Sequence, residues 1–414
     1  MNRFEKHPFK AKIILTLIVI FFAFIILFFT EMTIGYFSYK NKRFIRLREN
    51  PPYMDLKTYL DKNRIKRKIN KYLYNNDKIK KEKLENIRPK KYRIRTDENG
   101  FIKPSKIHNN ADLNIFFVGG STTQCGIVDE KNRFPYLAGH ILEKKTGLKI
   151  NSFNSGVPGN NSFHTIDILL NKILAYKPQI VVFMHNANDL DILIPYGTYW
   201  NNNPYKSLIT YFNDGISKEK ENNNIIFPVL CERTHNTYLK FLKYWNPSSS
   251  FELAGKKIFI NKNNIISQYK KTLKTFVCIC KIWDIEPVLM TQKTSLEWDS
   301  INMITEIPDS FEYIMPKYPL RDSAMINIIC FFHITFNNII REVAKEEKIT
   351  LIDLEKEIPY YDESKYIYDI MHYNDSGSVY VAKIISEHLL KLIKQKNYIP
   401  ASSYNLLNDK TKSK

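Results

Sequence analysis

Five short apolar runs, separated by stretches of helical periodicity, limit the fold of this chain more than any other feature of its sequence. Each run is too short for a core helix and is rich in β-branched or aromatic residues, as strands buried on both faces are. The runs lie at residues 115–118, 149–153, 179–184, 287–291 and 350–353. Helical periodicity occupies the stretches between them and residues 375–394 after the last run. The alternation predicts an α/β fold, a three-layer α/β/α sandwich around a parallel sheet of about five strands.

Two polar stretches interrupt this alternation, at about 190–262 and 292–322, and we interpret both as insertions. The first contains aromatic residues that could line a sugar groove or simply pack: Tyr196, Tyr199, Trp200, Tyr205 and Tyr211. With these insertions, the folded domain is predicted to span residues 111–398. Residues 399–414 are predicted to form a polar tail.

A longer apolar run lies near the N-terminus, where the 18 residues 13–30 contain no charged side chain. As a helix this run spans about 27 Å, close to a bilayer hydrocarbon core of roughly 30 Å. It is longer than the apolar part of a signal peptide, and no small-residue cleavage site follows it. We therefore predict one uncleaved transmembrane helix in the cell membrane. Residues 1–12 would lie in the cytoplasm and the domain on the extracytoplasmic side, periplasmic or extracellular.

Most of the net charge of +20 lies in the segment that follows this run. Residues 39–95 contain 21 Lys and Arg residues against 6 Asp and Glu residues, a local net charge of +15. We interpret residues 31–110 as a basic juxtamembrane stalk that favours contact with anionic lipid or acidic glycan. No zinc-finger or RNA-binding signature accompanies the charge, so nucleic acid is not an expected partner. Basic residues after a span favour the opposite orientation, although long domains translocate largely regardless of charge.

The first strand of the predicted sheet is followed at once by Gly119, Gly120 and Ser121. Glycine adopts backbone angles that other residues resist, so the chain can turn sharply there. The turn brings Ser121 to the carboxyl end of a strand, the edge of an open α/β sheet at which ligands bind. Ser121 is therefore a candidate nucleophile, although the same residues also form an ordinary turn between a strand and a helix.

Polar residues follow the next two strands as well. Gly156, after the second strand, could present a backbone N–H to the cleft without a side chain in the way. Asn188, after the third strand, could direct its amide at an oxyanion, and Asp189 could hold the loop by accepting backbone N–H groups. Pro/Gly and Asn-Asp sequences are also common in turns, so each of these signals is weak by itself.

The last candidate pair lies just before the final helix, where Asp369 precedes His372 by three residues. A carboxylate at this spacing can accept a hydrogen bond from His372 Nδ1, so that Nε2 faces a nucleophile and accepts its proton. His164 and His185 lie near other predicted strand ends and are the competing candidate bases.

The order of these residues resembles that of the SGNH/GDSL hydrolase superfamily, which has a flavodoxin-like fold. The resemblance extends from about residue 113 to 392. Gly119-Gly-Ser-Thr122 is similar to the family's first block, in the variant with Gly before the serine. Gly156 is similar to the second block, Asn188-Asp189 to the third and Asp369-x-x-His372 to the last. The family's third block usually has Gly at the position of Asn186, so we expect a different local loop shape there.

The resemblance implies Ser121 as the nucleophile, His372 as its base and Asp369 as the group that orients the base. It implies an oxyanion hole made of the Ser121 and Gly156 N–H groups and the Asn188 amide, with no metal or organic cofactor. An α/β-hydrolase is the nearest alternative with the same chemistry. That fold requires Gly-x-Ser-x-Gly, and Thr123 stands at the position of its second Gly.

The predicted function is that of a membrane-anchored serine esterase or O-acyltransferase that forms an acyl-enzyme on Ser121. By analogy with anchored members of the family, we expect an O-acetylated polysaccharide of a bacterial envelope as the substrate. The sequence leaves hydrolysis and transfer open, and it does not indicate the oligomeric state. The alternative from another class is a catalytically idle domain that binds glycan within an export or modification assembly.

Overall fold

The computed structural model describes residues 8–42, 64–65, 92–201, 253–295, 306–359 and 363–398. The chain divides into two compact units. One consists of Met1–Pro52 and Ile209–Glu252, and the other of Tyr53–Leu208 and Leu253–Lys414. Most of the predicted basic stalk and the whole polar tail lie outside the described residues.

The described part of the first unit is helix α1, Pro8–Lys42. Its stretch Phe9–Thr33 has a mean hydropathy of 3.2, and none of it is buried. As a helix these 25 residues span about 38 Å, more than a hydrocarbon core of roughly 30 Å. Helix α1 is therefore long and apolar enough to cross a membrane, and it contains the whole predicted span 13–30.

The second unit contains the predicted parallel sheet. The strands of the chain are β1 (Arg64–Ile65), β2 (Tyr92–Arg93), β3 (Leu113–Gly119), β4 (Ile150–Gly156), β5 (Ile180–Met184), β6 (Lys257–Asn261), β7 (Glu286–Met290), β8 (Ser310–Ile314) and β9 (Thr350–Ile352). Five of them form one sheet in the order β4-β3-β5-β7-β9, and every neighbouring pair is parallel. The predicted parallel five-stranded sheet is confirmed.

The helices of this unit are α2 (Ser121–Gln124), α3 (Phe134–Thr146), α4 (Ser162–Asn171), α5 (Ala187–Tyr196), α6 (Lys262–Ile282), α7 (Ser323–Glu346), α8 (Leu354–Glu357), α9 (Glu363–Tyr366) and α10 (Asp375–Gln395). Short polar side chains begin four of the long ones, and Asn261 at the start of α6 is one of them. Asn161 caps α4, Asp322 caps α7 and Asn374 caps α10, each by accepting a backbone N–H of the first turn. Such caps satisfy donors that a helix cannot satisfy internally.

Two hydrophobic cores cover the two faces of the sheet, because successive residues of a strand point to opposite faces. Phe116 and Val118 belong to the core formed with α4, α5, α6 and α7. Ile115 and Phe117 belong to the core formed with α3 and α10. Helix α7 is also apolar enough to cross a membrane, but half of it is buried, with Phe336 fully inside the first core. We therefore interpret α7 as a core helix of this unit.

The domain begins before the predicted boundary at residue 111. Phe101 is fully buried, and its ring contacts the rings of Phe116, Phe153 and Tyr176. The N–H of the next residue, Ile102, donates to the carbonyl of Asn154 in β4 at 2.9 Å. Part of the segment assigned to the stalk thus supplies a core side chain, which its irregular apolar spacing did not indicate.

The two predicted insertions contribute ordered elements. Helix α5 continues to Tyr196, so the regular structure extends past the predicted start of the first insertion at 190. Strand β6 from the first insertion pairs antiparallel with β8 from the second. Ile258 and Ile260 of β6 are buried, whereas Phe259 between them is exposed, so one face of this two-stranded sheet packs on the core. The pairing joins segments far apart in the chain, and neither segment by itself indicates it.

Candidate active site

The turn between β3 and α2 carries Ser121, and it requires glycine for lack of space rather than for unusual backbone angles. Gly120 has φ −86° and ψ −150°, in the extended region that any residue adopts. A Cβ on Gly119 would overlap Thr123 Oγ1, and a Cβ on Gly120 would overlap the side-chain nitrogen of Asn188. The predicted sharp turn is present, but its predicted cause, glycine's freedom in φ, was wrong.

Ser121, His372 and Asp369 form one hydrogen-bonded chain. Ser121 Oγ lies 2.7 Å from His372 Nε2, and His372 Nδ1 lies 2.7 Å from Asp369 Oδ2. When Nδ1–H donates to the carboxylate, Nε2 is the nitrogen that accepts the serine proton. Ser121 and His372 are both partly exposed, so a substrate can reach them from solvent.

The environment of Asp369 keeps its carboxylate ionised. Burial by itself would raise the pKa of Asp369, but hydrogen bonds from the His372 ring and from the N–H groups of Met371 and His372 outweigh burial and lower the pKa. The two backbone N–H groups donate to Asp369 Oδ1 at 3.0 and 2.8 Å. A charged carboxylate at Nδ1 holds the useful tautomer and stabilises the imidazolium that forms when the serine proton is taken.

Asp369 and His372 lie at the tip of a short hairpin, residues 366–374, which we call the triad hairpin. Tyr368 N–H donates to the carbonyl of His372, and Asn374 N–H donates to the carbonyl of Tyr366, each at 3.0 Å. An antiparallel bridge lies between these two bonds. These backbone hydrogen bonds therefore set the distance between His372 and the start of α10.

The segment after β7, residues 292–295, fastens the tip of the triad hairpin to the sheet, and we call it the strap. Ser295 N–H donates to the carbonyl of Ile370 at 2.7 Å, and Thr294 Oγ1 donates to the same carbonyl at 3.0 Å. Ser295 Oγ donates to the carbonyl of Asp369. Three hydrogen bonds from one strand end thus hold Asp369 and the residue after it, Ile370.

Gln292, the first residue of the strap, contacts three other parts of the site. Its Nε2 donates to Thr122 Oγ1 at 3.0 Å, and its Oε1 accepts from Ala187 N–H at 3.1 Å. Its own N–H donates to Asn337 Oδ1 on α7 at 3.2 Å. Thr122 follows the nucleophile candidate and Ala187 precedes Asn188, so one buried side chain sets the position of the two turns relative to each other.

The strap was missed in the sequence, although a signal was present. Residues 291–295 read Thr-Gln-Lys-Thr-Ser and follow the fourth strand directly. The rule that drew attention to polar residues after the first three strands applies to this strand as well.

Asn186 stands where the resembled family usually has Gly, and the structure shows what its side chain does. Asn186 Nδ2 donates to the carbonyl of His333 at 2.9 Å and to Asn337 Oδ1 at 3.0 Å, both on α7. Its φ of −167° is extended and needs no glycine. The substitution ties the third-strand turn to α7.

The Asn188 side chain lies beside Gly120 in the nucleophile turn, where the sequence placed an oxyanion donor. Its Nδ2 donates to the carbonyl of Asn160 at 2.7 Å. An amide nitrogen carries two hydrogens, so this bond orients the group and leaves a second donor. Asp189 anchors the same turn by accepting Ser162 N–H at 3.0 Å and the Tyr199 hydroxyl at 2.6 Å.

Gly156 does not offer the free N–H that we expected. Its N–H donates to Asn154 Oδ1 at 2.9 Å. A Cβ at this position would overlap the backbone nitrogen of Gln124, so the glycine allows α2 to pack directly on β4. In this structure the N–H that we predicted as an oxyanion donor is bound to Asn154, and the glycine is required for close packing of α2 on β4.

The same turn contains another donor that the sequence reading did not single out. Within residues 156–162, all of them described, the N–H of Gly159 is the one for which we find no acceptor in the protein, and Pro158 has no N–H. Gly159 has φ 83°, an angle that favours glycine. It directly precedes Asn160, whose carbonyl accepts from Asn188.

The two competing histidines do not contact Ser121. His185 is fully buried with Nε2 2.6 Å from Thr165 Oγ1. Burial, with a smaller contribution from His164, lowers the pKa of His185 to about 3. His164 Nδ1 accepts the N–H of Asn161 in the cap of α4. The geometry therefore favours His372 as the base.

The aromatic residues of the first insertion separate into different environments. Tyr199 is buried against Phe163 and packs in the core, whereas Trp200 is exposed and contacts the same Phe163 edge-on. Tyr196 is partly buried against the core. Tyr205 and Tyr211 lie outside the described residues, so the predicted sugar groove stays a prediction.

No family model matches this chain, and no curated protein matches it. Among solved structures, it is similar to the acetyl xylan esterase AlAXEase, at 16% identity over 66% of this chain and 98% of that one, with a TM-score of 0.39. It is also similar to a putative GDSL-like lipase from Parabacteroides merdae ATCC 43184, at 15% identity over 68% and 98%, with a TM-score of 0.37. The acetylxylan esterase Axe2 from Geobacillus stearothermophilus covers 68% of this chain and 94% of its own length at 14% identity and a TM-score of 0.36.

At these TM-scores the likenesses carry no argument about chemistry, which rests on the site itself. The structure defines a class: an α/β/α protein with a serine–histidine–aspartate arrangement at the carboxyl edge of a parallel sheet. Such an arrangement is suited to acyl transfer through a serine.

Proposed function

We propose that this protein is a serine ester hydrolase that forms an acyl-enzyme on Ser121. The observation that carries the proposal is the continuous chain from Ser121 Oγ through His372 to Asp369, with both hydrogen bonds at 2.7 Å. A serine hydroxyl is a weak nucleophile unless a base accepts its proton during attack. The two short bonds supply that base and its orienting carboxylate.

In the first half of the reaction, Ser121 Oγ bonds to the ester carbonyl carbon while its proton passes to His372 Nε2. The tetrahedral intermediate then collapses, and the bond to the alcohol oxygen breaks as His372 returns the proton to that oxygen. In the second half, His372 takes a proton from water while the water oxygen attacks the acyl carbon. The bond from that carbon to Ser121 Oγ then breaks as His372 returns the proton to Oγ, and the acid leaves. A sugar hydroxyl in place of water would give acyl transfer by the same steps.

The developing oxyanion requires donors aimed at it. We propose the N–H of Ser121, the second amide hydrogen of Asn188 and, in place of Gly156, the N–H of Gly159. Support comes from the position of Asn188 against Gly120 and from the bound state of the other N–H groups in the turn after β4.

For location and substrate, we propose a single-pass protein held by α1, with its catalytic domain on the extracytoplasmic side and acting on O-acyl groups of an envelope polysaccharide. The exposed, apolar α1 supports the anchor. The basic segment after it supports attraction to anionic lipid or acidic glycan.

The test uses the full-length protein in detergent, treated with a fluorophosphonate probe and assayed with p-nitrophenyl acetate. Wild type should be labelled and active, Ser121→Ala should show neither property, and Ser310→Ala, an exposed serine on β8, should match wild type. A wild type that is neither labelled nor active would favour the idle glycan-binding alternative. Equal labelling of Ser121→Ala would place the nucleophile elsewhere.

A further inference from the structure

A cavity of about 320 Å³ lies beside the base of the triad hairpin. Its lining combines aromatic and polar side chains with one aliphatic side chain: Asn132, Tyr366, Asp375, Ser376, Val379, Tyr380 and Lys383. The volume is at the lower end of the range for pockets that hold small organic ligands, roughly 300–1,000 Å³. None of these residues takes part in the serine chemistry described above.

The cavity is close to the reacting atoms, because the triad hairpin connects them. Tyr366 stands at the base of that hairpin, and its carbonyl accepts the N–H of Asn374. Asp375 follows His372 by three residues, so their Cα atoms are at most about 11 Å apart. His372 in turn touches Ser121. The lining of the cavity therefore comes within one short loop of His372, the hydrogen-bond partner of Ser121.

The aromatic part of the lining is a stacked pair. The rings of Tyr366 and Tyr380 lie 4.7 Å apart with an angle of 7° between their planes. Tyr366 is the buried member. Tyr380 is partly buried, packs against the second core and contributes part of its ring to the cavity. Lys365 Nζ lies over the Tyr366 ring, 5.3 Å from its centroid.

The polar part of the lining is arranged on one face of α10 and on the turn before α3. Asp375 Oδ1 accepts the N–H of Asp129 and Asn132 Nδ2, each at 2.9 Å, and these bonds hold that turn against the helix. Ser376 and Lys383 are exposed on the same helix. The Ser376 hydroxyl, the Lys383 ammonium group and the Asn132 amide thus line the cavity together with the two rings.

This combination matches the chemistry of a sugar ring, which has C–H groups on its faces and hydroxyl groups on its edge. The face can pack on Tyr380 while the hydroxyls bond to Ser376, Lys383 and Asn132. An extended acyl chain could not form hydrogen bonds with the polar side chains. A free inorganic anion has no apolar face to pack on the stacked rings.

We infer that this cavity is a saccharide-binding subsite that holds the glycan whose ester is presented to Ser121. The inference rests on the proposed esterase function and adds to it the residues that recognise the saccharide. Tyr366, the first residue of the triad hairpin, lines the subsite, so a sugar bound there would border the loop that carries His372.

The test compares kcat/KM of full-length protein for p-nitrophenyl acetate with kcat/KM for a panel of O-acetylated hexasaccharides with xylose, glucose, N-acetylglucosamine and uronic acid backbones. Wild type should prefer at least one saccharide ester. Tyr380→Ala should lower the ratio of the saccharide value to the p-nitrophenyl acetate value about tenfold, the size of one aromatic contact. Lys383→Ala, which cannot disturb a core, should lower the same ratio several-fold.

Two matched variants serve as controls, Tyr136→Ala on α3 and Lys391→Ala two turns further along α10, and both should keep the wild-type ratio. A wild type that hydrolyses p-nitrophenyl acetate but prefers no saccharide ester would overturn the subsite and leave the esterase standing. An unchanged ratio in both Tyr380→Ala and Lys383→Ala would also overturn it. A wild type that does not hydrolyse p-nitrophenyl acetate would overturn the esterase function and, with it, the inferred subsite.

Discussion

The residues around Ser121 are proposed to act in different ways, and each is expected to lower the rate by a different factor when it is replaced. In the proposed mechanism, His372 and Asp369 activate the Ser121 hydroxyl, whereas Asn188 acts on charge that exists only in the transition state. Gly120 acts indirectly, because its missing Cβ is the space that the Asn188 amide occupies. These roles can be separated by the size of the rate loss and by whether two losses add.

Asn188→Ala should lower kcat on p-nitrophenyl acetate by about 10²–10³ with little change in KM, because it removes one oxyanion donor and leaves the base intact. Gly120→Ala should cost a similar factor, since its new methyl group displaces the Asn188 amide. The double variant should be no worse than the poorer single variant, because both changes remove the same interaction. Steady-state kinetics of the three proteins make the comparison.

Gly126→Ala is the matched control for added volume near the site, because its Cβ would meet the ends of flexible side chains only. It should retain most of the wild-type rate. Additive losses in the double variant would mean that Gly120 and Asn188 act separately, contrary to the geometry.

At the scale of elements, the site is assembled by loops that cross from one strand end to another. The triad hairpin carries the proposed base, the turn after β3 carries the proposed nucleophile, and the strap forms hydrogen bonds to both segments. Gln292 links the strap to Thr122 and Ala187, so it joins the nucleophile turn to the turn that bears Asn188. The positions of these side chains depend on long-range bonds rather than on any single element.

Gln292→Leu should lower kcat about tenfold or more with KM little changed. The substitution leaves two buried partners without their bonds, at about 1–3 kcal/mol each, and frees the nucleophile turn. Gln292→Glu should recover part of the rate, since it keeps an acceptor for Ala187 N–H but has no donor for Thr122. Kinetics and urea unfolding of the same samples separate rate from stability.

Gln179→Ala is the matched control, because Gln179 Oε1 accepts Asn114 N–H at 2.7 Å at the start of β3, away from the strand ends that carry the site. It should lower stability while the folded protein keeps its kcat. Equal effects of Gln292→Leu and Gln179→Ala on kcat would show that Gln292 is structural only.

At the scale of the whole molecule, two buried histidines link stability to pH. His185 and His333 are fully buried, and burial lowers the pKa of each to about 3, with smaller contributions from His164 beside the first and Lys293 beside the second. Between pH 3 and about 6.5 the unfolded chain binds protons at these positions that the folded chain does not. Stability therefore rises with pH in this window and is lost as the pH falls.

The free energy of urea unfolding of the full-length protein should thus fall by up to about 3 kcal/mol per pH unit below pH 6.5, since each histidine contributes about 1.4 kcal/mol per unit. His185→Gln should remove about half of that slope. Asp369, with its lowered pKa, adds a further loss only below about pH 4. Stability that is flat from pH 6.5 to 5 would contradict the burial of neutral histidines.

Much of the fold and of the candidate site could be predicted from the sequence, for local reasons. Strands buried on both faces must be apolar throughout, so the five runs marked the sheet without any knowledge of their neighbours. Ligand sites lie where parallel strands end, so polar residues placed directly after apolar runs pointed to Ser121 and Asn188. The spacing of Asp369 and His372 lies within one loop, so their contact could also be expected. Their chemical roles stay proposals.

The tertiary structure decided what depends on contacts between distant segments. Gly156 and Gly159 are both turn glycines in the sequence, and only the packing of α2 on β4 and the bond to Asn154 distinguish the occupied N–H from the free one. The pairing of β6 with β8 and the contacts of Gln292 follow from the same cause. The sequence by itself determined the five strands of the parallel sheet, the apolar N-terminal helix and the position of Ser121 and Asn188 at the sheet edge, because hydrophobic period and position after a strand are properties of the chain. Which donors stay free and which loops hold the base were decided by tertiary packing, because a hydrogen bond to a residue far along the chain leaves no local signal.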